Sequence, residues 1–455
     1  MKKYLQIRYL YWLLLFCLVY WMHWKNLHNS DEGVLLEGAW NMFNGKELYT
    51  DFFEFIPPGN FYLIFWFWKF FTPSYNLIKF ISIIIFFFCA FGIYKICRIF
   101  NSSILNYITP VFFVLSSYLW PLINHNVYNL FFLIWSTYFF IKGLANRQNT
   151  NFVISGLLSA GAIIFLQQKG LAFLGITTLY LLILFFIERN RKLLYLLALY
   201  LFFSIAPLGL LLFKWSAKTL YVNLIEFPLF SYIKINSIPK GIFFFFLFLT
   251  IIFVIFFRKE KSKKILFLLL LQITLLLTTL TRPDYYHVLL IIFPLYALLP
   301  SFVKKIKFES QLLKIYCFSF ILVIMLLITL PSVTNFFVLS PVLKNIKTNE
   351  TIEFVKNNCP RVNDLYAGPF IPGLYFETKK INFTPYYILL TSFQGEEEFN
   401  ETRNLLKKNQ PRCIVMNYRI VEKFNYDKNN PVDLYIEENY ILEKQINSNK
   451  IFIKK

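Results

Sequence analysis

The sequence predicts an α-helical polytopic membrane protein of about eleven transmembrane helices. Interfacial helices are expected in its first outer loop, and a small extracytoplasmic α/β domain at its C-terminal end. Three observations lead there. The 455 residues are 57% hydrophobic and 21% aromatic but only 16% charged, well below the quarter of charged residues usual in a soluble domain. The apolar residues gather in long runs such as Ile242 to Phe257 and Ile265 to Leu280. The net charge of +21 sits mostly in short clusters between those runs.

The spans are expected at 8–24, 76–97, 103–121, 126–142, 151–167, 170–187, 193–213, 241–257, 264–281, 285–302 and 313–335. No small-residue cleavage site follows the first, so it reads as a retained anchor. Basic clusters fix the orientation. Lys2, Lys3 and Arg8 precede span one, and Lys95 and Arg98 follow span two. Lys142 and Arg147 follow span four, and Arg189, Arg191 and Lys192 follow span six. Arg258 to Lys264 follow span eight, and Lys304, Lys305 and Lys307 follow span ten. All fall on one side if the N-terminus is cytoplasmic and the span count is odd. The expected setting is a cell (inner) membrane with the tail outside. Placement of the basic residues in span-flanking loops favours anionic headgroups and excludes nucleic acid as a partner, since no basic face or base-stacking motif accompanies them.

The long outer loop 25–75 is expected to carry two interfacial helices. The first runs from about Asp31 to Asn44, capped by Ser30 or Asp31 and stopped by Gly45. The second is Phe61 to Phe71, which follows Pro57-Pro58-Gly59 and is too short to cross comfortably. Trp66, Trp68 and Lys69 would anchor it at the interface; a short true span is the alternative. A second outer loop, 214–240, has the same mixed aromatic and polar composition at Trp215, Tyr221, Phe227 and Tyr232. The division expected is a membrane domain over 1–339 and an α/β domain over 340–455. In the latter, Asn349 to Asn358 and Glu396 to Lys408 read as helices. Leu365 to Ala367, Cys413 to Met416 and Ile451 to Ile453 read as strands. Cys359 and Cys413 fall in this domain, where pairing depends on a geometry that spacing does not reveal. The other four cysteines read as small apolar fillers.

Asp31 and Glu32 are the leading chemical candidates. A glycosyl transfer needs an acceptor hydroxyl or amine deprotonated as it attacks, and a carboxylate within hydrogen-bond reach can do that. Helix capping is the plainer reading and accounts for one acid better than for two. Tyr49, Asp51 and Glu54 follow; the acids read either as groups that orient sugar hydroxyls or as solvated loop acids. Lys169, after Gln167-Gln168, reads as a point charge for phosphate or as an interfacial snorkelling side chain. Thr281-Arg282-Pro283-Asp284-Tyr285-Tyr286-His287 forms a short outer turn in which Arg282 can hold phosphate oxygens or pair with Asp284. His125, among Asn124, Asn126 and Asn129, opens span four as a sugar contact or as part of a capped helix start. The chain carries no Walker loop, Rossmann glycines, zinc-ligand pair or nucleophile elbow; no cofactor is indicated, and a divalent metal stays open, because an acidic pair alone does not make a metal site. Nor does it carry the mid-span ionisable residues usual in ion-coupled transporters.

In order and spacing, Asp31-Glu32-Gly33, Gly45-Lys46-Glu47-Leu48-Tyr49-Thr50-Asp51 and Pro57-Pro58 resemble the polyprenyl-phosphate-sugar-dependent glycosyltransferases of the GT-C fold. That superfamily includes the protein O-mannosyltransferases and the bacterial aminoarabinose lipid A transferases. Lys169-Gly170 resembles the family's Lys-Gly at a span start, and Arg282 through His287 to Pro294 resembles its outer Arg, His-Tyr and Pro turn. One position departs: many members have an acid at the outer start of the fourth span, where this chain has Asn126 and Asn129. The resemblance implies an inverting transfer with Asp31 as general base and Glu32 in support. It implies an undecaprenyl-phosphate sugar as donor, with Lys169, Arg282 and His287 neutralising the departing lipid phosphate. The acceptor would be a lipid (lipid A among them), a glycan or a protein outside the cell membrane. A transporter or flippase of lipid-linked sugars, or a glycan ligase or polymerase, is the alternative.

Overall fold

The structure is a computed structural model; it describes residues 2–24, 30–117, 120–232, 241–305, 341–419 and 421–455. The first nine helices are α1 (Lys2–His23), α2 (Ser30–Phe43), α3 (Gly59–Phe70), α4 (Tyr75–Phe100), α5 (Leu105–Ser116), α6 (His125–Asn146), α7 (Asn149–Phe165), α8 (Gln167–Glu188) and α9 (Arg191–Lys214). Short α10 (Ala217–Tyr221) and α11 (Phe227–Phe230) flank a π-helical turn, Val222–Glu226. Then come α12 (Gly241–Phe257), α13 (Lys263–Leu277), α14 (Tyr285–Ile291) and α15 (Phe293–Lys305). The C-terminal segment supplies α16 (Pro341–Asn358), β1 (Leu365–Gly368), α17 (Leu374–Thr378), α18 (Glu396–Asn409), β2 (Cys413–Met416), α19 (Pro431–Asn439), β3 (Tyr440–Ile446) and β4 (Asn449–Lys454).

Two compact units result. The first comprises 1–24, 79–216 and 238–339; the second comprises 25–78, 217–237 and 340–455. Segments 25–78 and 217–237 thus pack with the C-terminal segment, so the compact units do not follow a single cut near residue 339.

The first unit is the apolar one. Among the described residues, α4, α6, α8 and α9 are long and apolar enough to cross a membrane. Helices also occur where spans one, three, five, eight, nine and ten are expected, while the eleventh, 313–335, lies outside the described residues. The tenth differs from expectation. It is broken between α14 and α15 at Ile292, two residues before Pro294, whose ring and missing N–H oppose a continuous helix. The third is shorter than expected, ending at Ser116. The core of this unit is aromatic and aliphatic, with a few polar ties. Ser136 bonds Ser155 between α6 and α7, and Tyr200 donates to Ser159 between α9 and α7. In an apolar medium such pairs keep hydroxyls from being stranded.

The second unit has a four-stranded sheet of order β1-β2-β4-β3. The β1–β2 pair is parallel and the other two pairs are antiparallel. The expected strands near 365, 413 and 451 are present. Strand β3 was not expected, because its Glu443-Lys444-Gln445 stretch is polar and exposed, as suits a sheet edge. Cys359, just past the end of α16, is disulfide-bonded to Cys413 at the start of β2.

In the same unit, α3 has 12 residues, about 18 Å of helix and well short of a bilayer core. Its Phe61, Ile64 and Trp68 are buried, while Trp66, Lys69 and Phe70 are exposed. Trp68 is therefore not the interfacial anchor expected. It stacks on Phe376 at 4.7 Å between ring centroids, and its indole N–H donates to Ser74 O. Helix α2 also departs from the interfacial expectation, since every residue from Glu32 to Met42 is buried. Protein covers it, including the chain around α17.

Candidate active site

In the second unit, α2 begins one residue before Asp31, so both acids lie in its first turn, where the positive end of the helix dipole favours them. Their surroundings differ. Asp31 is half-buried, whereas Glu32 is 2% exposed and accepts a hydrogen bond from the Tyr75 hydroxyl at 2.8 Å. Glu32 ties the start of α2 to the start of α4, and Asp31 is the more accessible of the pair.

The loop after α2 commits its candidate residues locally. The Tyr49 hydroxyl donates to Ile56 O at 2.7 Å, and its ring is buried. Asp51 is exposed and accepts from the Glu47 N–H at 2.7 Å, closing a turn. Glu54 is buried; one oxygen accepts from the N–H groups of Phe55 and Ile56, and the other bonds the Tyr387 hydroxyl. Burial pushes Glu54 up to about 8, against the pull of the two N–H groups. Glu54 is a brace between this loop and the C-terminal segment, not the solvated acid that one reading of the sequence made it.

In the first unit, six polar residues from the starts of α6, α8 and α14 and the turn before α14 come together: His125, Asn126, Lys169, Arg282, Asp284 and His287. Asp284 caps α14: one oxygen accepts from the His287 N–H at 2.9 Å and lies 2.7 Å from His287 Nδ1. Its other oxygen accepts from Arg282 Nε at 2.9 Å. Burial pushes the Asp284 carboxyl up, but hydrogen bonds from His287 and the charges of His287 and Arg282 outweigh it and hold the group at about 2. Ionised Asp284 thus fixes the His287 ring with Nδ1 as donor, leaving Nε2 for other work.

Lys169, at the start of α8, is 3% exposed and donates to Asn126 Oδ1 at 2.8 Å. It also lies within electrostatic range of Asp284. Asn126 Nδ2 is 2.9 Å from His125 Nε2, and His125 in turn feels His287, Lys169 and Arg282. Gly170 lets α8 begin this close to the end of α7, because a Cβ there would come within 2.5 Å of Ile163 N. Lys169 and Arg282 against Asp284 leave one net positive charge before either histidine is protonated. The N-termini of α6, α8 and α14 add their dipoles at the same place. Such a cluster can hold an anion with bidentate and point-charge donors.

The structure therefore joins Lys169, Arg282, His287 and His125 in one cluster. Asp31 and Glu32 share a helix turn, and Tyr49 and Asp51 serve the loop. Sequence reasoning leaves Lys79 and Glu37 without a role, and Asn126 enters it only beside His125 and as a departure from the family pattern. Lys79 is fully buried on α4, and a lysine near the start of an apolar run, away from the basic clusters, is the signal available. Glu37 is fully buried on α2.

The sequence matches no protein-family profile and no curated relative. Solved structures do resemble it. ArnT from Cupriavidus metallidurans bound to undecaprenyl phosphate matches with a TM-score of 0.66 at 12% identity, covering 98% of each chain. Its apo state matches with a TM-score of 0.61 at 12% identity, covering 99% of this chain and 97% of that one. The archaeal oligosaccharyltransferase AglB from Archaeoglobus fulgidus, in complex with an inhibitory peptide and a dolichol-phosphate, matches with a TM-score of 0.56 at 11% identity. That match covers 100% of this chain and 74% of AglB. This chain has the GT-C fold.

Proposed function

We propose that the chain is a multi-pass membrane glycosyltransferase that moves a sugar from a polyprenyl-phosphate donor to an acceptor outside the cell membrane. The observation that carries this reading is the cluster of Lys169, Arg282, His125 and His287 around Asp284, in a chain whose fold is that of proteins solved with undecaprenyl phosphate and dolichol-phosphate.

Asp31 takes the proton of the acceptor hydroxyl or amine as that atom attacks the anomeric carbon. The bond to the lipid phosphate breaks on the opposite face, so the configuration inverts. The leaving phosphate keeps its electron pair, and Lys169 and Arg282 neutralise it. His287, oriented through Nδ1, adds an Nε2 contact. Glu32, held by Tyr75, positions the turn that bears Asp31. The acceptor is a lipid such as lipid A, a glycan or a protein. The Cys359–Cys413 disulfide supports an oxidising, extracytoplasmic setting for the C-terminal segment. The basic clusters support a cytoplasmic N-terminus.

The test is transfer by the purified protein, reconstituted in vesicles, from a radiolabelled polyprenyl-phosphate sugar to membrane acceptors. New glycosidic product supports the reading. Movement of labelled lipid between leaflets without product would make the chain a flippase instead.

A further inference from the structure

One face of α2 is followed along its length by the chain around α17, all within the second unit. Gly33 meets the Pro372 carbonyl so closely that a Cβ on Gly33 would lie 2.2 Å from its oxygen. One turn on, Glu37 faces the N–H groups of Gly373 and Phe376. Trp40 donates its indole N–H to Lys380 O at 2.7 Å. Beyond the helix end, Lys46 donates to Asn382 O at 2.5 Å. Positions 33, 37 and 40 share a helix face. Their partners 372, 373–376 and 380 advance in the same direction, so the two segments run side by side.

Glu37 is the odd member of this contact. It is fully buried, and neither carboxyl oxygen has a well-formed hydrogen bond among the described residues. Its titratable neighbours are Lys46 and Tyr375. An acid in such a place costs stability unless it is neutral or does something. Gly33 immediately follows the acidic pair, and it allows the contact that an alanine would push apart.

Resting on the glycosyltransferase reading, we infer that the segment 372–384 is a splint for α2, with Gly33 and Glu37 as positioning residues that set where Asp31 stands. Neither touches substrate. Their role is to hold the first helix turn at one height and angle, because a base displaced by about 1 Å loses on the order of a hundredfold in rate.

The test uses the full chain in vesicles, with Gly33→Ala, Glu37→Leu and Glu37→Gln. Hydrogen exchange of amides 31–36 is followed alongside kcat and donor KM. Gly33→Ala and Glu37→Leu should lower kcat tenfold or more while donor KM moves less than threefold, and exchange over 31–36 should quicken. Glu37→Gln, the neutral isostere, should keep kcat within threefold at pH 7 and remove a fall in kcat that the wild type shows above pH 8. Should the first two variants fail to fold, the Gln profile decides. Folded Gly33→Ala or Glu37→Leu protein with wild-type kcat overturns the inference, as does a Gln variant with the wild-type fall. A wild-type chain that transfers no sugar defeats the functional reading alone. The exchange rates then still judge the splint.

Discussion

Lys169 Nζ donates to Asn126 Oδ1 at 2.8 Å, one helix start answering another. Asn126 stands at the start of α6 and Lys169 at the start of α8. A neutral amide does not cancel the lysine charge, and in the proposed reading that charge meets the donor phosphate. Lys169→Met keeps the aliphatic stem and removes that charge. Losing a charged hydrogen bond costs about 1.5–3 kcal/mol, so donor KM should rise roughly ten- to a hundredfold. Steady-state kinetics with varied donor checks this, and Asn126→Asp should weaken donor binding in the same direction by neutralising Lys169.

Two buried acids give the second unit a pH dependence of definite sign. Burial lifts both Glu37 and Glu54 from 4.5 to about 8. Below about 4.5 both states hold these protons; between 4.5 and 8 the folded state holds them and the unfolded state does not. Stability therefore falls as pH rises through that window. Glu377, raised to about 7 by burial, acts in the same direction. The thermal midpoint should be several degrees lower at pH 8 than at pH 5.5, and the Glu37→Gln, Glu54→Gln double variant should flatten the slope.

The disulfide closes a separation of 54 residues between Cys359 and Cys413. Chain-entropy reasoning gives such a loop a stabilisation of about 4 kcal/mol. A Cys359→Ser, Cys413→Ser variant, or reduction of the wild type, should lower the melting midpoint of the C-terminal segment. It should also speed its proteolysis, measured by time-resolved digestion from the outer face.

Local pattern made some of this legible and chain-distant packing hid the rest. The four long apolar helices follow from apolar runs and the Asp31 helix from the glycine that ends it, because those signals lie within a few residues; Ser30 and Asp31, expected as its cap, lie inside its first turn instead. The burial of α2 did not follow, since its cover comes from residues about 340 positions later, as Trp40 and Lys380 illustrate. Trp68 looked interfacial for the same reason: Phe376, on which it stacks, is invisible to a local reading. The Lys169 cluster was half legible. Its members stand out one by one in the sequence, but Asp284 reads there as a rival partner for Arg282. In the structure it is the hub holding Arg282 and His287 together.

The most direct measurement compares Asp31→Asn with wild type in vesicles carrying a polyprenyl-phosphate sugar and native membrane acceptors. Product is quantified and its anomeric configuration read by NMR. Asp31→Asn should fold and bind donor with nearly unchanged KM, while transfer falls roughly a hundredfold or more. The wild-type product should be inverted. Full transfer by the Asn variant, or retention at the anomeric centre, would contradict Asp31 as the base.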